Sequence, residues 1–466
     1  MDLDAKKHTR YWQRCLRSLL PHQYTANDST RMLLGCFTVA ALDLLGSSDL
    51  LTDDDRRRYR EWVLSCQHPG GGFSGGSTHA FPRGVYSSFD FVAGEPEVGA
   101  RGEANIAATL FALQLLALLG SGKTQPETET SESECVFGGV DRNATLRWLR
   151  QLQRPDGSFG EFLVDVADPA SPSCRKRVIA GGADMRYCYI ASMIRWMLRG
   201  DDALFARDSP AWVDDINVDA LVAHMRRGQT YDGGFAESSS HESHAGYAFC
   251  AIAAMELLDR PAEGGPAQSS ALARGIADLP GLMRWLASRS FVYQTGNDDD
   301  NTDSDSDEEW HESVVSEITT SDSLTPSCVV GFNGRCNKHA DSCYTWWTLG
   351  SIAILQRNDL ALDYKEDTSA NWDASRRFLL TQTQHVIGGF AKTPGGAPDI
   401  YHSYLGLASL ATHGDAALKS FDPSMSVSLD TVRAIEAGRR GLLRGLTDKG
   451  ASRREAFLDM AHALNK

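Results

Sequence analysis

Asn105–Gly120 reads NIAATLFALQLLALLG, apolar on nearly every side and ended by a glycine, which predicts a helix buried all round rather than one lying on a surface. Just downstream, Asp141–Gln153 (DRNATLRWLRQLQ) is amphipathic, with Leu146, Leu149 and Leu152 on one side. The same pairing of a polar-faced helix with an apolar one recurs around Tyr187–Leu198, His244–Leu258 and Tyr344–Leu355. Between the helices a Gly-rich turn ending in Phe returns, at Gly71-Gly72-Phe73, Gly157-Ser158-Phe159, Gly233-Gly234-Phe235, Gly331-Phe332 and Gly388-Gly389-Phe390. Runs with strand-type alternation are scarce. The prediction is an all-α chain of repeated helix pairs closing on themselves into one α-α toroid, an α6-α6 barrel spanning 1–466 as a single domain.

The Phe-to-Phe intervals of 86, 76, 97 and 58 residues are uneven because acidic segments interrupt the repeat. Thr295–Thr325 holds eleven acids and Gln125–Cys135 four, with no Lys or Arg in either. Together they account for the whole formal charge of −15, so the remaining body is near neutral and offers no nucleic-acid surface. Stretches at about 123–136 and 295–326 are expected to be disordered insertions, since Asn297–Glu309 (NDDDNTDSDSDEE) cannot bury enough apolar surface to fold. A polar helical tail is expected at about 422–466. No run reaches 18 apolar residues and Met1–Arg10 lacks an apolar core, so neither a membrane span nor a secretory leader is expected. Ten cysteines without framework spacing suit reduced thiols in the cytoplasm.

Chemistry concentrates in Gly331–Trp347, GFNGRCNKHADSCYTWW, where Arg335 and Lys338 precede Asp341 and Cys343. Asp341 and Cys343 are two apart and cannot share a helical face. They can converge on a metal from the loop entering the helix at Tyr344, joined by His402 at the start of another helix. Oxygen, sulfur and nitrogen ligands with a fourth position open are a catalytic zinc pattern. A core thiol, a helix N-cap at Asp341 or Ser342 and a surface histidine are the plainer reading of the same residues.

The run GFNGRCNKHADSCYTWW resembles the signature of protein prenyltransferase β subunits. So do DMRYCY (Asp184–Tyr189), ESHAGYAFC (Glu242–Cys250), GGFAKTPGGAPDIYHSYLGL (Gly388–Leu407), HTRYWQRCLRSLLPHQYT (His8–Thr25) and STRMLL (Ser29–Leu34). The likeness implies a β subunit in complex with a separate α subunit. Asp341, Cys343 and His402 fall on the ligands of one Zn2+. His244, Arg335, Lys338 and Tyr344 fall on the groups that hold the isoprenoid diphosphate, and the first three are expected to supply positive charge. Arg186 falls near the junction of lipid and peptide; Tyr247, Cys250 and Trp347 fall on the lipid channel wall.

Within the family the chain is most similar to the type I geranylgeranyl enzyme, because Lys392 stands where farnesyl and Rab-type enzymes carry Asp. A lysine ammonium there would neutralise the diphosphate and make magnesium unnecessary. Leu33 stands where farnesyl enzymes place Trp and type I enzymes a small residue, and Tyr247 follows the farnesyl pattern. The implied reaction is transfer of a geranylgeranyl group to the cysteine of a C-terminal CaaX motif, X often Leu, on proteins such as small GTPases. The alternatives are a farnesyltransferase or Rab geranylgeranyltransferase β subunit and, more remotely, a terpene cyclase or a non-catalytic scaffold.

Overall fold

A computed structural model describes residues 2–77, 103–120, 135–168, 171–200, 207, 211–261, 271–294, 328–360 and 372–445. Its helices are α1 Ala5–Arg17, α2 Arg31–Leu44, α3 Asp53–Ser65, α4 Ile106–Gly120, α5 Arg142–Gln151, α6 Met185–Leu198 and α7 Val218–Gly228. They continue with α8 Ala245–Asp259, α9 Ala271–Gly275, α10 Leu279–Ala287, α11 Ser342–Arg357, α12 over 372–383, α13 Ile400–Thr412 and α14 Leu429–Gly445. The second half of α12, Phe378–Thr383, is wound as a π-helix.

Composition sorts these helices into two rings. The apolar helices α2, α4, α6, α8, α11 and α13 each pack on the next, and α13 packs back on α2, closing an inner barrel of six. In α8, for example, Phe249, Ile252, Ala253 and Leu257 are completely buried. Helices α1, α3, α5, α7, α10 and α12 alternate with them in the chain as the outer ring. Burying apolar residues at about 25 cal/mol per Å2 drives both rings together, and only the amphipathic helices can spare a polar face for solvent. This is the α-α toroid that the repeat predicts.

The recurrent turn is the hinge of each unit. Gln67, Gln153, Gln229 and Gln384 bridge Phe73, Phe159, Phe235 and Phe390, all four fully buried. Each glutamine carboxamide also reaches the start of a following outer helix. Its Oε1 accepts from the backbone of the capping residue Asp141, Asn217, Asp278 or Asp4. The glycines Gly71, Gly157 and Gly388 adopt φ of +102°, +92° and +88°. A Cβ there would lie within 2.3 Å of the carbonyl oxygens of Ala144, Ala220 and Lys7, so these positions admit only glycine. The contact of Gln384 and Gly388 with α1 therefore repeats the internal contact and closes the outer ring.

Among the described residues three two-stranded antiparallel ribbons interrupt the helices: β1 Phe162–Asp168 with β2 Ser171–Ala180, β3 Ser290–Gln294 with β4 Cys328–Phe332, and β5 Phe421–Asp422 with β6 Val427–Ser428. In the fifth unit Ser290 pairs with Phe332, as glutamine pairs with phenylalanine elsewhere. The long acidic insertion thus falls in sequence between the two strands of this turn, and residues 295–327 lie outside those described.

Two expectations are corrected. The first insertion ends before Cys135, which is buried and donates through Sγ to the Gly438 carbonyl at 3.1 Å. Residues 422–445 are no polar tail. In α14, Val432, Ile435, Leu442 and Leu443 are buried against α4 and α6, and Arg439 is fully enclosed, donating to the Trp196 carbonyl at 2.9 Å. The polar spelling misled because Asp422 is paired with Arg260 and the Arg439 guanidinium lies over the Trp196 ring. Residues 446–466 are outside those described.

Segment 421–431 forms the floor of the barrel, and every inner helix holds it. Asp43 of α2 accepts from Ser428 and from Thr431 (3.2 Å), and Gln114 of α4 donates to the Met425 carbonyl (2.8 Å). Tyr189 of α6 donates to the Ser424 carbonyl (2.8 Å) and Tyr404 of α13 to that of Ser426 (2.6 Å). Arg357, ending α11, donates to Ser424 Oγ (2.8 Å), and Arg260, capping α8, pairs with Asp422 (2.8 Å). Among the described residues no helix is long and apolar enough to cross a membrane.

Candidate metal and anion site

The inner helices all begin at the rim opposite the floor, and their caps carry the chemistry. Asp341 caps α11 in extended geometry (φ −144°, ψ 134°), with Oδ1 accepting from Cys343 N at 2.8 Å. Because Asp341 is not helical, its side chain escapes the spacing that separates i and i+2 on a helix. Asp399 caps α13 and accepts from His402 N at 2.9 Å, which fixes the backbone of the third helical residue.

One ligand atom from each of Asp341, Cys343 and His402 lies within 4.8 Å of the others. His402 Nε2 is 3.2 Å from Asp341 Oδ1, and Nδ1 is 2.6 Å from Asp399 Oδ2. The N-cap reading and the ligand reading of Asp341 therefore describe the same side chain, whose carboxylate serves both. Sequence reasoning missed Asp399. Its signal was present as an acid three residues before the histidine, at a helix start.

The donor set fits a dication. Burial opposes the charge on Asp341, but its bonds with His402 and Cys343 outweigh that and hold the carboxyl below its ordinary range. Burial also opposes charge on His402, yet the hydrogen bonds with Asp341 and Asp399 lift it to about 9. Burial and the Asp341 carboxylate push the Cys343 thiol up. Two carboxylates thus enclose one imidazolium beside a neutral thiol, and a dication would displace both protons to bind. Asp399 against Nδ1 is the outer partner that orients a metal-bound imidazole.

Lys392 stands beside this cluster, Nζ 3.8 Å from Asp341 Oδ2 and its side chain 64% exposed. Its loop is pinned to α11, because Ser342 N donates to the Lys392 carbonyl (2.9 Å) and Ser342 Oγ to that of Ala391 (2.7 Å). Arg335 pairs with Glu242 at 3.1 Å across the rim, both exposed. Lys338 is exposed, and its carbonyl accepts from Asn333 Nδ2 at 2.9 Å. Gly334 makes room for Tyr344, whose ring a Cβ there would meet at 2.3 Å.

His244 is not a cation. It caps α8 with Nδ1 accepting from Gly246 N at 3.0 Å, so that nitrogen carries no proton. Burial, with Arg335 and Arg186 nearby, brings it down to about 4. Its Nε2 meets the Tyr344 hydroxyl at 3.1 Å. The expected positive charge is thus replaced by a pair of neutral donors, Nε2–H and a phenol. Arg186 grips Asp184, its Nε 3.0 Å from both carboxylate oxygens, and its guanidinium lies 5.8 Å from the centre of the Tyr247 ring.

Below the rim Trp347 sits edge-on to Phe249 (5.1 Å between centroids), and Cys250 is buried with its thiol pushed up by burial. Leu33, on the third residue of α2, is half-buried. The three residues that could hold a metal, the residues expected to meet an anion and those expected to line a wall thus share the N-terminal end of one barrel.

Comparison with known proteins matches this arrangement along the chain. Over 441 residues it is 25% identical to the geranylgeranyl transferase type-1 subunit beta of Arabidopsis thaliana, covering 92% of this chain and 90% of that one. It is 24% identical over 422 residues to the protein farnesyltransferase subunit beta of Pyricularia oryzae, covering 88% of this chain and 63% of that longer protein. The fold matches the solved structure of Candida albicans protein geranylgeranyltransferase-I complexed with GGPP with a TM-score of 0.64 and 24% identity, over 94% of this chain and all of that one. Residues 3–427 match the family model of the prenyltransferase alpha-alpha toroid domain, and this chain, a protein prenyltransferase β subunit by its relatives, belongs to that family.

Proposed function

We propose that the chain is the catalytic β subunit of a zinc-dependent protein geranylgeranyltransferase of type I. With an α subunit it would move the lipid of geranylgeranyl diphosphate onto the cysteine of a CaaX terminus. One observation carries the reading: three metal-ligating atoms within 4.8 Å of one another, with Lys392 beside them at the mouth of an apolar barrel.

Asp341, Cys343 and His402 would hold the zinc, which supplies a Lewis acid able to ionise an incoming thiol at neutral pH. The other residues work on the diphosphate. Arg335 and Lys338 offer cations in one loop and Lys392 a third from the facing loop. Tyr344 and His244 add neutral donors. The N-terminal pole of α11 favours the same negative charge. As the carbon–oxygen bond to the lipid breaks and the thioether bond forms, charge grows on the departing diphosphate, and preorganised donors favour that change. Asp399 keeps the His402 ring aimed at Asp341. Lys392, an ammonium where magnesium would otherwise be needed, supports metal-free handling of the diphosphate.

The test is a transfer assay with the purified heterodimer and a Cys-a-a-Leu peptide, using farnesyl and geranylgeranyl diphosphate in parallel, with and without magnesium. Preference for the longer lipid and indifference to magnesium are expected. Magnesium dependence would overturn the role of Lys392. A preference for farnesyl diphosphate would favour the second reading, a farnesyltransferase, to which Leu33, Tyr247 and the Pyricularia relative point. One zinc per chain with no transfer would favour a scaffold.

A further inference from the structure

The loop over 333–338 carries Arg335 and Lys338, and its ends are fixed from neighbouring elements. Asn333 N donates to the Arg289 carbonyl (2.9 Å), Asn333 Nδ2 to that of Lys338 (2.9 Å) and Ala245 N to that of Gly334 (2.9 Å). In the middle, Arg289 Nη2 lies 3.2 Å from Cys336 Sγ and donates to it. Cys336 is exposed, whereas the other seven described free thiols are buried or half-buried.

Two buried polar atoms at the base of this loop lack partners. Arg289 is 4% exposed, its guanidinium 4.7 Å from the centre of the Trp285 ring, and its Nη1 has no hydrogen-bond partner among the described residues. Asn333 is 2% exposed, and its Oδ1 is unpartnered in the same way. A buried donor and a buried acceptor left open are each costly. Both belong to side chains that hold the loop of the one exposed described thiol, and together they suit a group that accepts one hydrogen bond and donates another.

We propose that Cys336 is a site of reversible oxidation to a sulfenic acid, and that this oxidation weakens the hold of the loop on the diphosphate. The second half rests on the prenyl-transfer reading. A sulfenic hydroxyl accepts through its oxygen and donates through its proton, which matches Arg289 Nη1 and Asn333 Oδ1. The oxidant is a hydroperoxide. With hydrogen peroxide the sulfur attacks one oxygen, the S–O bond forms as the O–O bond breaks, sulfur gives up two electrons, and the departing hydroxide takes a proton and leaves as water. A thiol reductant reverses the change, its sulfurs joining in a disulfide as the oxygen leaves as water. The attacking form of a cysteine is its thiolate, and a guanidinium N–H on the sulfur is a partner for that anion. Turning the new oxygen towards Arg289 and Asn333 draws the middle of the loop inwards. Arg335 and Lys338, one and two positions from the sulfur, move with it.

The experiment treats the zinc-loaded heterodimer with hydrogen peroxide, traps sulfenic acid in one portion with dimedone and locates the adduct by peptide mass mapping. In a second portion it measures zinc content, and kcat and KM for the prenyl diphosphate in transfer to a Cys-a-a-Leu peptide, before oxidation, after it and after dithiothreitol. An adduct at Cys336, retained zinc, a KM raised at least about tenfold, as for one lost hydrogen bond to a charged group, and recovery with dithiothreitol are expected. Cys336→Ser should transfer like the unmodified protein and keep its KM after peroxide. Arg289→Lys, which keeps a cation near Trp285 but loses the guanidinium fork, should slow trapping at Cys336; trapping at the full rate would overturn the part given to Arg289. If that variant does not fold, the serine variant decides alone. No adduct at Cys336, an adduct with unchanged KM, or equal peroxide sensitivity in Cys336→Ser overturns the proposal, as does inactivation that follows loss of zinc. An adduct at Cys336 in a heterodimer that transfers no lipid even before oxidation would sink the functional reading and leave the oxidation site standing.

Discussion

The two ends of the barrel use charge in opposite ways. At the rim, the side chains of Arg335, Lys338 and Lys392 reach solvent, while Asp341 and His402 face each other within reach of a cation. At the floor, Asp422 lies 2.8 Å from Arg260 and 3.5 Å from Arg357, and Arg357 also meets Glu256 at 2.7 Å. The difference follows helix direction. All six inner helices begin at the rim, where capping side chains and free N–H groups create a positive field suited to an anion. Their other ends must be closed, and the returning chain does so with ions that neutralise one another. Charge held in solvent-facing pairs at the rim is available for chemistry; charge paired around the buried Asp422 at the floor holds the barrel shut.

This contrast can be broken from either end. The largest effect belongs to Cys343→Ser at the rim. Transfer should fall by more than about 100-fold, the upper range for outer-shell changes at metal sites, with loss of bound zinc by elemental analysis and little change in thermal stability. Retained zinc would break the ligand assignment. At the floor the signature should invert. Asp422→Ala removes a buried carboxylate and leaves the half-buried Arg260 without its partner, and should cost about 3 kcal/mol in urea unfolding, while zinc content stays unchanged. An unaltered midpoint would show that the floor charges do not hold the barrel.

Smaller effects sharpen the comparison. Asp399→Ala should weaken zinc about 10–100-fold by chelator competition, because His402 loses the partner that orients it. The seam between the ends is His8 of α1, fully buried, with Nε2 3.1 Å from Gln384 Oε1 and Nδ1 accepting from Gly389 N at 3.3 Å. Burial brings it down to about 4. The unfolded chain therefore takes up its proton first, and the stability this histidine contributes at pH 7 is lost as pH falls from about 6.5 towards 4. Its share should be about 2 kcal/mol between pH 7 and 5. In His8→Gln that part of the pH dependence of unfolding should vanish.

Much of this was legible in the residues. Repeated Gly-Phe turns and apolar helices pointed to the toroid because each unit repeats one local solution: a glycine where a Cβ would strike the next helix and a phenylalanine filling the space beneath. The motif Gly331–Trp347 also exposed its candidate ligands, since Asp before a helix and Cys within its first turn are local features. The helix over Leu429–Gly445 was less legible, since a helix that buries Arg439 under Trp196 is spelled like a solvated one. The neutrality of His244 was hidden too, because it depends on a proton donated by Gly246 and on two guanidinium groups from other units.

The sequence by itself determined the helical repeat, the capping residues and the kinds of candidate ligand, because propensity, periodicity and cap chemistry act over a few residues. Only the tertiary structure decided that His402 meets Asp341 across 61 positions of sequence, that Lys392 stands beside them, and that segment 421–431 seals the barrel. Those contacts join elements remote in the chain, and closure of the six-helix ring is what fixes the distances between them.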